Sequence, residues 1–132
     1  MAASRILIVD DEKVIADSLT VIFEKQGYEA RAAYSAEQAL EIIAQWRPHL
    51  AILDIVLPGM NGIDLAMLIQ SSYPAISTML MSGQPATSAL VEKAALLGHQ
   101  FNVRAKPIPI PDMLAAVSHL LGSDRQNGAP TS

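Results

Sequence analysis

Leu50-Ala51-Ile52-Leu53-Asp54 is a run of four apolar residues closed by one acid at its carboxyl end. A strand that is apolar on both faces has to be covered on both faces, as central strands of parallel sheets are. The pattern recurs on either side. Upstream, Ile6-Leu7-Ile8-Val9 is followed by Asp10 and Asp11, and downstream the stretch from Ala75 to Met81 is followed by Ser82 and Gly83. Helix-period segments lie between these runs. Ile15, Leu19 and Ile22 share one face of a segment from about Lys13 to Gln26, and Gly27 fits its C-terminal cap. Ser35 and Gln38 have capping-box spacing ahead of Leu40, Ile43 and Trp46, and Pro48 ends that helix. A loop with Pro58, Gly59 and Gly62 leads into a helix carrying Leu65, Leu68 and Ile69. Thr87 to Leu97 reads as a further helix, and Met113, Leu114, Val117 and Leu121 mark the last.

Two weaker strands complete the alternation: Tyr28 to Ala33, and Phe101 to Ala105, which ends at Lys106-Pro107. They carry Glu29, Arg31, Asn102 and Arg104, so they belong at the sheet edges; Arg104 reads as an edge residue whose charged end reaches water. Five strands alternating with five helices imply an α/β fold with a five-stranded parallel sheet. The order 2-1-3-4-5, the flavodoxin-like doubly wound arrangement, satisfies both the central and the edge positions. The expected domain is residues 1–121, with 122–132 a disordered tail or the start of a linker.

Composition excludes several classes. The chain has 132 residues, enough for one core. It has no cysteine, hence no disulfide framework, thiolate metal site or cysteine nucleophile, which suits a reducing compartment. Met1-Ala2-Ala3-Ser4 does not open a signal peptide, and the apolar runs are too short to span a membrane. Net charge is −4, and the nine Lys and Arg are scattered rather than set in the basic stripe of a nucleic-acid surface.

Ligands of open parallel sheets bind beyond the carboxyl ends of the strands, where the strand order switches. Here that switch lies between the first and third strands, which end in Asp10-Asp11 and Asp54. Ser82 ends the fourth strand and Lys106 the fifth. Three carboxylates brought together repel, so either their pKa values rise or a cation sits among them. An all-oxygen set without His or Cys favours a hard ion such as Mg²⁺. Taken singly, each residue has a plainer account. Asp10-Asp11 suits a helix N-terminus, Asp54 a solvated strand end, Ser82 a turn and Lys106 a surface position.

Together, four segments resemble the response-regulator receiver domains of bacterial two-component systems, with the fold of the chemotaxis regulators. They are Ile8-Val9-Asp10-Asp11-Glu12, Leu53-Asp54-Ile55-Val56-Leu57-Pro58-Gly59-Met60-Asn61-Gly62, Met81-Ser82-Gly83 and Lys106-Pro107. The resemblance covers about residues 5 to 121. It implies that Asp54 accepts a phosphoryl group from a histidine kinase, a phosphotransfer protein or a small phosphodonor. It implies Mg²⁺ held by Asp11, Asp54 and the Val56 backbone carbonyl, with Asp10 acting through a water. Ser82 and Lys106 would bind phosphoryl oxygens, and Lys106–Pro107 would be a cis peptide. Val56 and Gln84 would flank the path of the hydrolytic water and set the lifetime of the acyl phosphate. The chain would be a cytoplasmic signalling domain that assists its own phosphorylation and dephosphorylation. It would be either a stand-alone regulator or a piece of a longer protein whose effector domain or partner carries the output. Response would run through the fourth helix, fifth strand and fifth helix, by way of the loop from Gly83 to Thr87. The aromatic residue often found three positions before the lysine is replaced by Val103, with Phe101 nearby on the same strand parity.

Three other readings compete. An aspartyl-phosphate phosphatase of the haloacid-dehalogenase type wants a second acid two residues after the nucleophile, where Val56 stands. A pseudo-receiver, an interaction module of the same fold that is never phosphorylated, would lack Asp54, Asp11 or Lys106. A flavodoxin-like cofactor binder wants a Ser/Thr/Gly-rich phosphate loop after the first strand, where Asp10-Asp11-Glu12 would repel phosphate.

Overall fold

The computed structural model describes residues 3–83, 92, 96, 98 and 102–128. Five parallel strands form one sheet: β1 (Arg5–Val9), β2 (Glu29–Ala33), β3 (Leu50–Asp54), β4 (Ser77–Ser82) and β5 (Asn102–Ala105). Their order is β2-β1-β3-β4-β5, as the burial pattern of the strands implies. β3 is buried along its whole length, whereas β2 and β5 expose residues as edge strands do. The helices are α1 (Lys13–Lys25), α2 (Ala36–Trp46), α3 (Gly62–Ser72) and α4 (Ile110–Gly128). Of the helix expected over Thr87–Leu97, Glu92 and Leu96 are described and helical; Gln84 and Phe101 lie outside the described residues.

Strand parity divides the core in two. Leu7, Val9, Ala51, Leu53 and Leu80 face one side with α2 and α3 residues such as Ile43 and Ile69. Ile6, Ile8, Leu50, Ile52, Met79 and Met81 face the other with Phe23 of α1 and Val117 of α4. The sheet is thus covered on both faces, which offsets the cost of ordering strands that have no polar face.

Local signals place the helix ends. Ser35 Oγ accepts from Gln38 N–H at 3.1 Å, while the Gln38 side chain reaches back to the N–H of Tyr34 at 2.8 Å, one residue beyond the usual capping box. Gly27 follows α1 with φ +95°, a conformation that costs a residue with a β-carbon. Two boundaries differ from the sequence expectation. β4 begins at Ser77, because Ile76 N–H returns to Tyr73 O at 2.9 Å in a turn around Pro74. α4 continues to Gly128, past Leu121 and into the stretch expected to be a tail. Apolar periodicity marks where a helix stops packing, and helical hydrogen bonding extends past that point.

Candidate functional site

Register brings the charged residues together. Ile8 of β1 lies opposite Ile52 of β3, which lies opposite Met79 of β4. Two residues further along, Asp10 and Asp54 share that parity, so both carboxylates emerge on the α1/α4 face at the carboxyl edge. On the next pair Met81 faces Arg104, and Lys106, two residues on, takes the same side. Backbone bonds extend the strands to these positions: Asp10 N–H to Ala33 O and Ile55 N–H to Met81 O, both 3.0 Å, and Lys106 N–H to Ser82 O at 2.8 Å. The Lys106–Pro107 peptide is cis.

The Lys106 ammonium bridges two acids, donating to Asp54 Oδ2 at 2.8 Å and to Asp10 Oδ2 at 3.1 Å. The remaining oxygens meet backbone donors: Asp10 Oδ1 accepts from Glu12 N–H at 3.0 Å, and Asp54 Oδ1 from Val56 N–H at 3.2 Å. Asp10 is fully buried and Asp54 is 5% exposed, whereas Asp11 is exposed. Ligand oxygens of all three aspartates lie within 4.8 Å of one another. Among the described residues, the Lys106 ammonium thus pairs with two of three clustered carboxylates. Burial pushes the Asp54 carboxyl above its ordinary range; Lys106 and the Val56 N–H pull it back, and the Asp10 charge raises it again. Burial alone would lower the Lys106 ammonium, but its hydrogen bonds to Asp54 and Asp10 prevail and hold it above the usual lysine range.

The arrangement opens as a cleft of about 300 Å³ lined by Asp11, Glu12, Asp54, Val56, Gly83 and Lys106. The sequence-derived residues Asp10, Asp11, Asp54, Val56 and Lys106 thus meet. Ser82 has the opposite parity to Met81 and joins through its carbonyl, which holds the Lys106 N–H. Val56 is 44% exposed at the cleft, and Val103 and Arg104 are exposed on β5, where Arg104 Nε donates to Asn102 Oδ1 at 3.3 Å. Sequence reasoning missed Glu12 as a lining residue. It also missed Gly62, where an added β-carbon would strike the Asp54 main chain. Neither has a periodic signal; both follow from how loops fold back over strand ends. A larger apolar cavity of about 500 Å³ adjoins the cleft between α1 and the start of α4, with Val14, Ile108 and Lys106 among its walls.

No helix among the described residues is long and apolar enough to cross a membrane. The DNA-binding response regulator MtrA of Mycolicibacterium smegmatis is 39% identical over 76 residues, which are 58% of this chain and 33% of that protein. The chain thus spans about a third of the length of the curated relatives it matches. Among solved structures, a CheY-like response regulator receiver domain protein from Methanospirillum hungatei superposes with a TM-score of 0.84 at 29% identity, over 96% of this chain and 99% of the other. NtrX from Brucella abortus matches with a TM-score of 0.82 at 28% identity, over 95% of this chain and 28% of its own. Residues 6–118 match the response regulator receiver domain family, nearly the whole span from β1 into α4, and the chain belongs to that family.

Proposed function

We propose that this chain is a phosphorylation-dependent signalling switch whose phosphoacceptor is Asp54. The supporting observation is the Lys106 ammonium set between Asp54 and Asp10, in a cleft that also opens onto Asp11. An Asp54 carboxylate oxygen attacks phosphorus, the bond from phosphorus to the donor's leaving atom breaks, and that atom keeps the electron pair. With a phosphohistidine the leaving atom is an imidazole nitrogen. Such transfers ask a protein mainly for positioning and charge neutralisation. Lys106 offers a fixed positive charge where the phosphoryl oxygens arrive, and the Ser82 hydroxyl is proposed as the second phosphoryl contact.

The residues present fit a hard divalent cation. Their donors are all oxygen, and among the described residues the Lys106 ammonium offsets one of the three aspartate charges. Asp11, Asp54 and the Val56 carbonyl would hold Mg²⁺. Asp10 is fully buried and does not line the cleft, as Asp11 and Asp54 do, which suits contact through water. Bound there, Mg²⁺ would neutralise charge on the transferring phosphoryl group. Val56 and Gln84 are proposed to set the lifetime of the acyl phosphate. The phosphodonor would be a histidine kinase or phosphotransfer protein in the cytoplasm. Output would pass to a partner or an effector domain, as in the relatives described as DNA-binding.

Intact-mass spectrometry after incubation with Mg²⁺ and acetyl phosphate tests this reading. The parent should gain one phosphoryl group and Asp54→Ala none. An adduct persisting on Asp54→Ala moves the acceptor elsewhere. A parent that takes no phosphoryl group from either acetyl phosphate or a phosphohistidine donor is a non-phosphorylated interaction module.

A further inference from the structure

We infer that Gly62 is a positioning residue for the phosphoacceptor: its missing β-carbon sets where the Asp54 main chain lies, and with it the Asp54 carboxylate. The inference rests on the proposed role of Asp54 and deepens it. Gly62 is buried and is the first residue of α3. A β-carbon there would fall within contact distance of the Asp54 carbonyl oxygen, and at 2.8 Å from both the Asp54 carbonyl carbon and the Ile55 Cα. All three are backbone atoms, so no side-chain rotation relieves the overlap; β3 or α3 must move. The need is for space and not for an unusual dihedral, since Gly62 has no positive φ, unlike Gly27 and Gly59.

The close approach does more than seat a helix. Gly62 N–H donates to Ile55 O at 2.8 Å and closes the neck of the loop from 56 to 61. That neck also carries the Ile55 N–H bond to Met81 O at 3.0 Å and the Val56 N–H bond to Asp54 Oδ1 at 3.2 Å. One carboxylate oxygen of Asp54 and the proposed Val56 ligand carbonyl are thus both referred to where Gly62 lets α3 come to rest. Asn61 fixes that helix start, its Oδ1 accepting from Asp64 N–H at 2.9 Å. Mutating residues that orient a metal's direct ligands typically costs about 10–100-fold in metal affinity.

Four variants separate positioning from plain stability. Gly62→Ala adds the obstructing carbon, and Asn61→Ala loosens the same helix start without adding an atom. Gly27→Ala and Ser35→Ala are their controls: a strained glycine with nothing within 4 Å of its Cβ position, and the equivalent cap of α2, whose Oγ takes Gln38 N–H at 3.1 Å. Mg²⁺ affinity by calorimetry and the rate of adduct formation with acetyl phosphate are measured where melting curves show each protein folded. Gly62→Ala should weaken Mg²⁺ binding and slow phosphorylation by about tenfold. Asn61→Ala should shift both in the same direction by less, and the controls should stay within about twofold at a similar loss of melting temperature. A folded Gly62→Ala with parental Mg²⁺ affinity overturns the inference, as do controls that lose as much as their partners. If Gly62→Ala does not fold, Asn61→Ala and Ser35→Ala decide: equal effects refute positioning. A parent that neither binds Mg²⁺ nor takes a phosphoryl group overturns the proposed function, and this inference with it.

Discussion

Replacing Lys106 by methionine keeps an unbranched stem of similar size and removes the one ammonium that the structure places between Asp54 and Asp10. At separations of 2.8 and 3.1 Å, each attraction amounts to about 5–6 kcal/mol at an effective dielectric of about 20. Desolvation of the ions offsets most of this. What the substitution exposes is the penalty of leaving buried carboxylates unpaired, about 3–5 kcal/mol when one partner of a buried pair is deleted. The Lys106 side chain is 20% exposed, and water screening puts the expected loss near the bottom of that range, at about 3 kcal/mol. For a domain of this length the melting temperature should fall by about 10 °C.

The pH dependence gives the sharper test. Burial already raises the Asp54 carboxyl, and Lys106 is the chief opposing influence, so the variant carries the carboxyl still higher. A carboxyl whose folded pKa exceeds its unfolded one binds its proton more tightly in the native state. Stability is therefore lost as pH rises through the window between the two values and regained on acidification. The deficit of Lys106→Met against the parent should be larger at a neutral pH than at a mildly acidic one. Urea unfolding of both proteins in chelator at the two pH values measures it. A deficit below about 1 kcal/mol at the higher pH, or one that grows on acidification, refutes the account of an unpaired buried carboxylate.

Three further outcomes are expected. Val56→Asn puts a hydrogen-bonding group at the mouth of the cleft in place of a branched apolar one, and should shorten the acyl-phosphate lifetime by about threefold or more; phosphate release after donor removal at constant Mg²⁺ measures it, and an unchanged rate places the control of lifetime elsewhere. His49 Nδ1 accepts from the backbone N–H of Arg5 at 2.8 Å, tying the start of β1 to the start of β3. His49→Leu should therefore cost about 1 kcal/mol and His49→Asn, which keeps an acceptor, less than half of that; denaturant midpoints in the reverse order refute the latch. Asp54→Ala should take no phosphoryl group in the mass assay already described, while keeping the fold by circular dichroism.

The sequence carried the fold at the level of pattern. Apolar runs at 6–9, 50–53 and 75–81 had to be central, Glu29, Arg31, Asn102 and Arg104 had to be at edges, and only a few strand orders satisfy both. It carried the site because chemistry in such sheets gathers at the carboxyl ends, where Asp10, Asp11, Asp54, Ser82 and Lys106 stand. Both inferences need only local periodicity and chain order.

Tertiary structure decided what depends on two segments at once. Parity within a strand is legible, but the register of Ile8 against Ile52 is not, and that register puts Asp10 and Asp54 on one face with Lys106 between them while Ser82 meets the lysine through its carbonyl. Gly62 reads in sequence as one more loop glycine; only the approach of α3 to β3 shows that a single added carbon would strike the Asp54 backbone. The Nδ1 of His49 and the end of α4 at Gly128 belong to the same class, because hydrogen bonds formed across the fold or carried along a helix beyond its packed face leave no apolar period to read.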